Sequence, residues 1–168
     1  MDSKQYQLNK VINFLKSIGI EVIEKELTQT TFLPGLMLGP NTIYIDTKKL
    51  LYPGDILHEA GHIAVTPLLQ GQLIGSDEMP ADWPTMGDEI TAILWSFAAV
   101  THLDLPPEFV FHGNGYKDSS DWFIENFTSG NYIGLPLLQY FKMANSAEES
   151  LQSPETAFPY MVSWLRPE

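Results

Sequence analysis

Hydrophobic positions recur at helical spacing near the start of the chain. Leu8, Val11, Ile12, Leu15 and Ile18 share one face, and Gly19 supplies a stop, so residues 4–18 are expected to form an amphipathic helix. The period then shortens. "IEVIEKEL" and "TFLPGLMLG" read as strands, and "NTIYID", alternating and rich in β-formers, reads as a third strand entered by a Gly-Pro-Asn turn. Pro53-Gly54 breaks the chain before a second helix, expected over 54–65. Residues 67–87 hold three Pro and three Gly with little periodicity, so a long irregular loop is expected, of the kind that often serves as a functional lid.

The segment "DEITAILWSFAAVTH" is apolar on every face, which predicts a buried helix over 89–102. Pro106-Pro107 ends it. "EFVFHGNGYK" predicts a short strand or extended piece and a Gly-rich turn. "SSDWFIENFTSG" and "LPLLQYFKMAN" predict two short helices, and "SPETAFPYMVSWLRPE" an irregular tail packed by its aromatics. There is no internal repeat and no linker, so residues 1–168 are expected to form one α+β domain.

Composition narrows the chemistry. The apolar fraction of 44% is ordinary for a folded domain, and no run approaches the length of a membrane span. "MDSKQYQLNK" lacks the apolar core of a secretory signal, so the expected compartment is the cytoplasm. The absence of cysteine excludes disulfides and thiolate metal sites; any metal must be held by His, Asp, Glu or water. The net charge is −12, and no Lys or Arg occurs between Lys49 and Lys117, a stretch with nine acids. Such a surface repels phosphate backbones and argues against nucleic acid. It would attract cations and basic peptides.

Within that stretch stands "DILHEAGHIAV". At about 100° per residue, Ile56, Leu57, Ala60, Ile63 and Ala64 gather on a core-facing sector. His58 and His62 fall about 40° apart on the other side, with Asp55 beside them and Glu59 on the flank. Two imidazoles at i and i+4 can meet one zinc ion, with the intervening Glu59 close enough to act as general base toward a metal-activated water. Gly61 inside this helix is disfavoured by about 1 kcal/mol relative to alanine, and often marks the close approach of another backbone.

A catalytic zinc usually has three protein ligands. No third histidine follows at the short spacing, since Pro67, Leu68 and Leu69 come after Thr66. Asp88 and Glu89 open the next helix. Thr85 can be its N-cap, with Asp88 answering as in a capping box. Glu89 is then left on the same side as Ala92, Ile93, Ser96 and Val100, where a carboxylate is unfavourable unless it meets a cation. Glu89 is the favoured third ligand; Asp88, His102 and His112 are the alternatives. His112 and Tyr116 in "VFHGNGYK" are candidates to stabilise an oxyanion, with Tyr132 weaker.

"HEAGH", with an acid some 27 residues later opening a helix, resembles the zincins of gluzincin type, and the layout is similar to the small intracellular ImmA/IrrE-type metallopeptidases. The likeness runs from about residue 42 to 99. It implies a minimal zincin-like fold: a small sheet packed on the motif helix and a second buried helix. It also implies zinc bound by His58, His62 and Glu89, with Glu59 as base. Ile93 stands where gluzincins often carry a second acid, so Asp55 or a backbone carbonyl is expected to orient the imidazoles. No DNA-binding helix-turn-helix accompanies the core, so a repressor-cleaving role is not implied. The expected function is zinc-dependent hydrolysis of a peptide bond in a peptide or protein substrate, favouring basic sequences. The main rival is a catalytically inactive zincin-like metal-binding scaffold or regulator. Hydrolysis of a non-peptide amide by the same machinery is a further rival.

Overall fold

The structure, a computed structural model, describes residues 3–168. The first helix, α1 (Ser3–Ile18), buries Leu8, Val11, Phe14 and Leu15, the face that the periodicity indicates. Three short strands follow: β1 (Glu21–Glu24), β2 (Leu36–Gly39) and β3 (Thr42–Ile45). They form a mixed sheet in the order β1-β3-β2, with β1 parallel and β2 antiparallel to β3. The strands are shorter than the apolar runs containing them. Pro34 interrupts "TFLPGLMLG", and only the four residues from Leu36 pair with β3.

The chain leaves β3, turns over residues 46–54, and enters α2 (Asp55–Val65), the helix that carries the histidines. After α3 (Leu68–Gly71) and a run of turns comes α4 (Met86–His102). Thr85 caps α4 in a capping box with Asp88, so the helix begins three residues before the expected 89. Residues Thr91 to Val100 of α4 are all buried, in keeping with its all-round apolar character. The expected loop over 67–87 is therefore interrupted by one short helix and ends at a cap.

The C-terminal half is built from α5 (Ser120–Thr128), α6 (Leu135–Tyr140) and α7 (Ala147–Gln152), with short 3-10 turns between. The strand expected in "EFVFHGNGYK" is absent; a 3-10 turn at Pro107–Phe109 and another at Tyr116–Asp118 occupy it. Pro107 favours a helical turn at its start, and Val110 and Phe111 bury their side chains without strand pairing. Helix α7 was not expected. Its signal is the pair Ser146 and Glu149, a capping box.

The aromatic tail packs as expected. Trp164 meets Phe14 and Trp95 edge-on at centroid distances of 4.9 and 5.7 Å, and the Trp95 indole donates to the Trp164 carbonyl. One continuous hydrophobic core joins α1, the sheet, α2, α4 and the C-terminal segments. The architecture is thus α+β, a small mixed sheet with helices. Among the described residues no helix is long and apolar enough to cross a membrane.

Two glycines set the position of α2. A Cβ at Gly61 would fall 2.7 Å from the Ala92 carbonyl oxygen, so α2 and α4 touch backbone to backbone there. A Cβ at Gly54 would overlap the Phe109 carbonyl, so the segment after α4 seals the start of α2. Neither contact tolerates a side chain, and together they hold the histidine helix between α4 and residues 109–110.

Candidate metal centre

Because α2 packs on α4 through Gly61, the two histidines of α2 stand beside the first turn of α4. The Nε2 atoms of His58 and His62 lie 3.2 Å apart. Glu89 reaches both: Oε1 is 3.3 Å from His58 Nε2, and Oε2 is 3.0 Å from His62 Nε2. Among the described residues these three side chains form a group whose ligand atoms all lie within 4.8 Å of one another. A tetrahedral zinc site with bonds of about 2.0–2.1 Å has ligand atoms roughly 3.3 Å apart. The donor set and its spacing therefore fit a divalent ion. Asp88 is occupied by the Thr85 cap, and neither His102 nor His112 joins the group.

The electrostatics follow from the packing. Burial alone would push the His58 imidazole down, but the hydrogen bond and charge of Glu89, with Glu59 and Asp55 nearby, outweigh it and raise its pKa. Glu89 moves the other way. Burial opposes its ionisation, yet hydrogen bonds and charge from both histidines hold its carboxyl far below the usual range. Glu59, one residue after His58, is pushed up chiefly by burial, which the two histidines only partly offset. A carboxylate with a raised pKa is better matched to accepting and returning a proton near neutrality.

The expected orientation of the imidazoles by Asp55 or a carbonyl does not occur. The Nδ1 atoms of His58 and His62 are buried and have no hydrogen-bond partner among the described residues. Asp55 is engaged elsewhere: its Oδ1 is 2.7 Å from His112 Nε2, and both side chains are nearly buried. The His112 ring stacks on Tyr52 with centroids 3.8 Å apart. The reason is position. Asp55 lies in the first turn of α2, next to the 107–112 segment that seals that end, so the imidazole within its reach is that of His112.

Tyr116 and His112, both candidates for oxyanion binding, are separated by the structure. Tyr116 lines the cavity above the histidines, its ring edge-on to His58 at 5.3 Å. Its hydroxyl is buried beside the Ser96 hydroxyl, which donates to the Ile93 carbonyl and keeps its lone pairs free to accept. Burial and the nearby Asp55 charge raise its pKa well above the ordinary value, so it remains a donor at neutral pH. His112 does not line the cavity. Tyr132 packs on Phe97 and Phe158, away from the group.

The cavity has a volume of about 650 Å³. His58, Glu59, His62 and Glu89 lie on its wall with Leu38, Trp83, Ile93 and Phe123. Trp83 and Pro84 come from the 67–87 segment. The Trp83 indole donates to the Thr66 hydroxyl, which in turn donates to the His62 carbonyl, tying this segment to the end of α2. The sequence-based reading did not single out these wall residues. Lys117, also on the wall, could have been noticed as the cation that ends a long basic-free stretch. Comparison with family models, curated proteins and solved structures gives no match.

Proposed function

We propose that this protein is a zinc-dependent hydrolase acting on peptide bonds. The observation that carries the reading is the meeting of two imidazole nitrogens and two carboxylate oxygens within 3.0–3.3 Å, one residue from a half-buried glutamate, on the wall of an open cavity. His58, His62 and Glu89 would hold the ion. A bound divalent ion supplies Lewis acidity, polarising a carbonyl and bringing the pKa of a bound water to about 7.

Glu59 then has a defined task. It takes one proton from the attacking water and hands it to the leaving nitrogen as the C–N bond breaks, yielding a carboxylate and an amine. Tyr116, edge-on to His58 on the cavity wall, contributes its O–H to the oxygen of the carbonyl under attack. Trp83, Leu38, Ile93 and Phe123 exclude water and receive apolar substrate surface. The acidic surroundings support long-range attraction of cationic peptides. The loop acids Asp77, Glu78 and Asp82 are exposed and do not line the cavity, so they act at approach and not at contact.

Loading the protein with zinc and offering it a diverse peptide mixture tests the reading. Hydrolysis that falls by roughly 10²–10⁴ in Glu59→Gln, with zinc still bound, is the expected result. Stoichiometric zinc binding with no peptide cleaved would leave the non-catalytic metal scaffold as the better account.

A further inference from the structure

Among the described residues, Lys117 is the one Lys or Arg lining the cavity, and it is exposed. The charged groups beside it on that wall, Glu59 and Glu89, are acids tied to the histidine cluster. No other Lys or Arg occurs between residues 50 and 116. The residue before it, Tyr116, packs against His58, so the turn that carries Lys117 runs past the histidine cluster.

The backbone that presents it is strained. Tyr116, Lys117 and Asp118 have φ values of 55°, 50° and 66°, three successive left-handed residues that carry side chains. Each such residue is disfavoured by roughly 1–2 kcal/mol. Glycine would relieve the strain, and none of the three positions has it. Strained backbone of this kind persists where surrounding contacts hold it, and it gathers at ligand sites. The holding contacts are present: Tyr116 packs on Phe111 and Phe123, and Ser120 ties the segment back to the His112 carbonyl.

We propose that Lys117 is a specificity-determining residue that binds a substrate carboxylate, the C-terminal carboxylate of a peptide. This rests on the hydrolase reading above. A terminal carboxylate lies one residue beyond the last peptide bond, a span of roughly 3.5 Å, so the cation that binds it must share a cavity with the cluster, as Lys117 does. The wall of Leu38, Trp83, Ile93 and Phe123 receives a large apolar side chain next to that end. Phe32, 99% exposed at the mouth, extends the apolar surface outward.

An internal aspartate or glutamate carries the same chemistry, so three peptides are needed. One ends in phenylalanine as the free acid, one is its C-terminal amide, and one is an amide with an internal glutamate. The zinc-loaded protein is expected to prefer the free acid by about tenfold or more in kcat/KM. Lys117→Ala should erase that preference by raising KM with little change in kcat, and Lys117→Arg should keep most of it. Equal cleavage of acid and amide by the unmodified protein, or an equal loss on both in Lys117→Ala, overturns the proposal. Preference for the internal glutamate overturns the C-terminal assignment. Binding of the same peptides to zinc-loaded Glu59→Gln separates the two readings. If the zinc-loaded unmodified protein hydrolyses none of the peptides but the free acid binds in a Lys117-dependent manner, carboxylate recognition stands and the hydrolase reading falls. If acid and amide bind alike, the carboxylate proposal falls whether or not the unmodified protein hydrolyses them.

Discussion

Gly61 and Ala92 bring the backbones of α2 and α4 into direct contact, with room for no atom between a Cβ at 61 and the Ala92 carbonyl. Alanine at 61 has two opposed effects. It favours the helix by about 1 kcal/mol over glycine. It also drives a methyl to 2.7 Å from a backbone oxygen that cannot swing aside, and overpacking of this kind destabilises by about 1–3 kcal/mol. The clash should win. Gly61→Ala is expected to lower the denaturation midpoint and weaken metal binding together, since the same contact sets the distance from the histidines to Glu89. Retention of both would show that the helices can separate without moving the cluster.

Glu89→Ala should abolish stoichiometric metal binding. Loss of a group outside the ligand shell typically lowers affinity about 10–100-fold, and removing a ligand should exceed that. The check is chelator competition on the purified variant. Unchanged stoichiometry and affinity would remove Glu89 from the ligand set.

Zinc should raise the unfolding temperature of the unmodified protein, and a chelator should reverse the rise. Saturation at 100 times Kd corresponds to about 2.7 kcal/mol of stabilisation, provided the unfolded chain does not compete. The His58→Ala variant should show no such shift. A shift of equal size in that variant would mean that zinc binds elsewhere.

Tyr116→Phe separates stability from function. The Tyr116 hydroxyl is buried with only the Ser96 hydroxyl beside it, so its removal takes a buried polar group out of the fold at little cost. The variant should be as stable as the parent or more so. If the hydroxyl donates to the reacting oxygen, hydrolysis should nevertheless fall by roughly 10²–10³. A loss of stability with hydrolysis intact would mark Tyr116 as structural.

Asp46 predicts an acid-sensitive fold. Its carboxylate accepts from the Leu27 and Lys48 amides and sits 3.7 Å from the Lys49 ammonium. The Leu27 hydrogen bond is the main reason its pKa is lowered, against an opposing contribution from burial. A carboxyl with a depressed folded pKa contributes stability that is present above its unfolded value of about 3.9 and is lost as pH falls through the folded one. Stability should therefore decline below about pH 4 in the parent, and Asp46→Asn should lower it at neutral pH while flattening that decline. A parallel pH profile for the two proteins would count against the assignment.

What was legible and what was not divides along the range of the interactions involved. Leu8, Val11 and Leu15 marked α1 because a solvent-facing helix has one apolar face, and the Thr85–Asp88 box marked the start of α4 because a cap is satisfied within four residues. The strand expected around Val110 and Phe111 failed for the opposite reason. Those side chains are buried by packing against other elements, and burial in a loop leaves the same apolar run as burial in a strand. Asp55 was a plausible partner for a histidine, but which histidine depended on the segment folded over its helix.

The i and i+4 placement of His58 and His62 on one face follows from helical pitch, a property of eleven consecutive residues, and so was determined by sequence alone. So was the exclusion of thiolate ligands. Tertiary structure decided that Glu89 closes the cluster, that Tyr116 faces His58, that Asp55 pairs with His112, and that Lys117 lines the cavity. Each of these joins residues from different elements. Their distances are set by how two surfaces pack, above all at Gly61 and Ala92, and a local periodicity carries no information about the element on the other side of the contact.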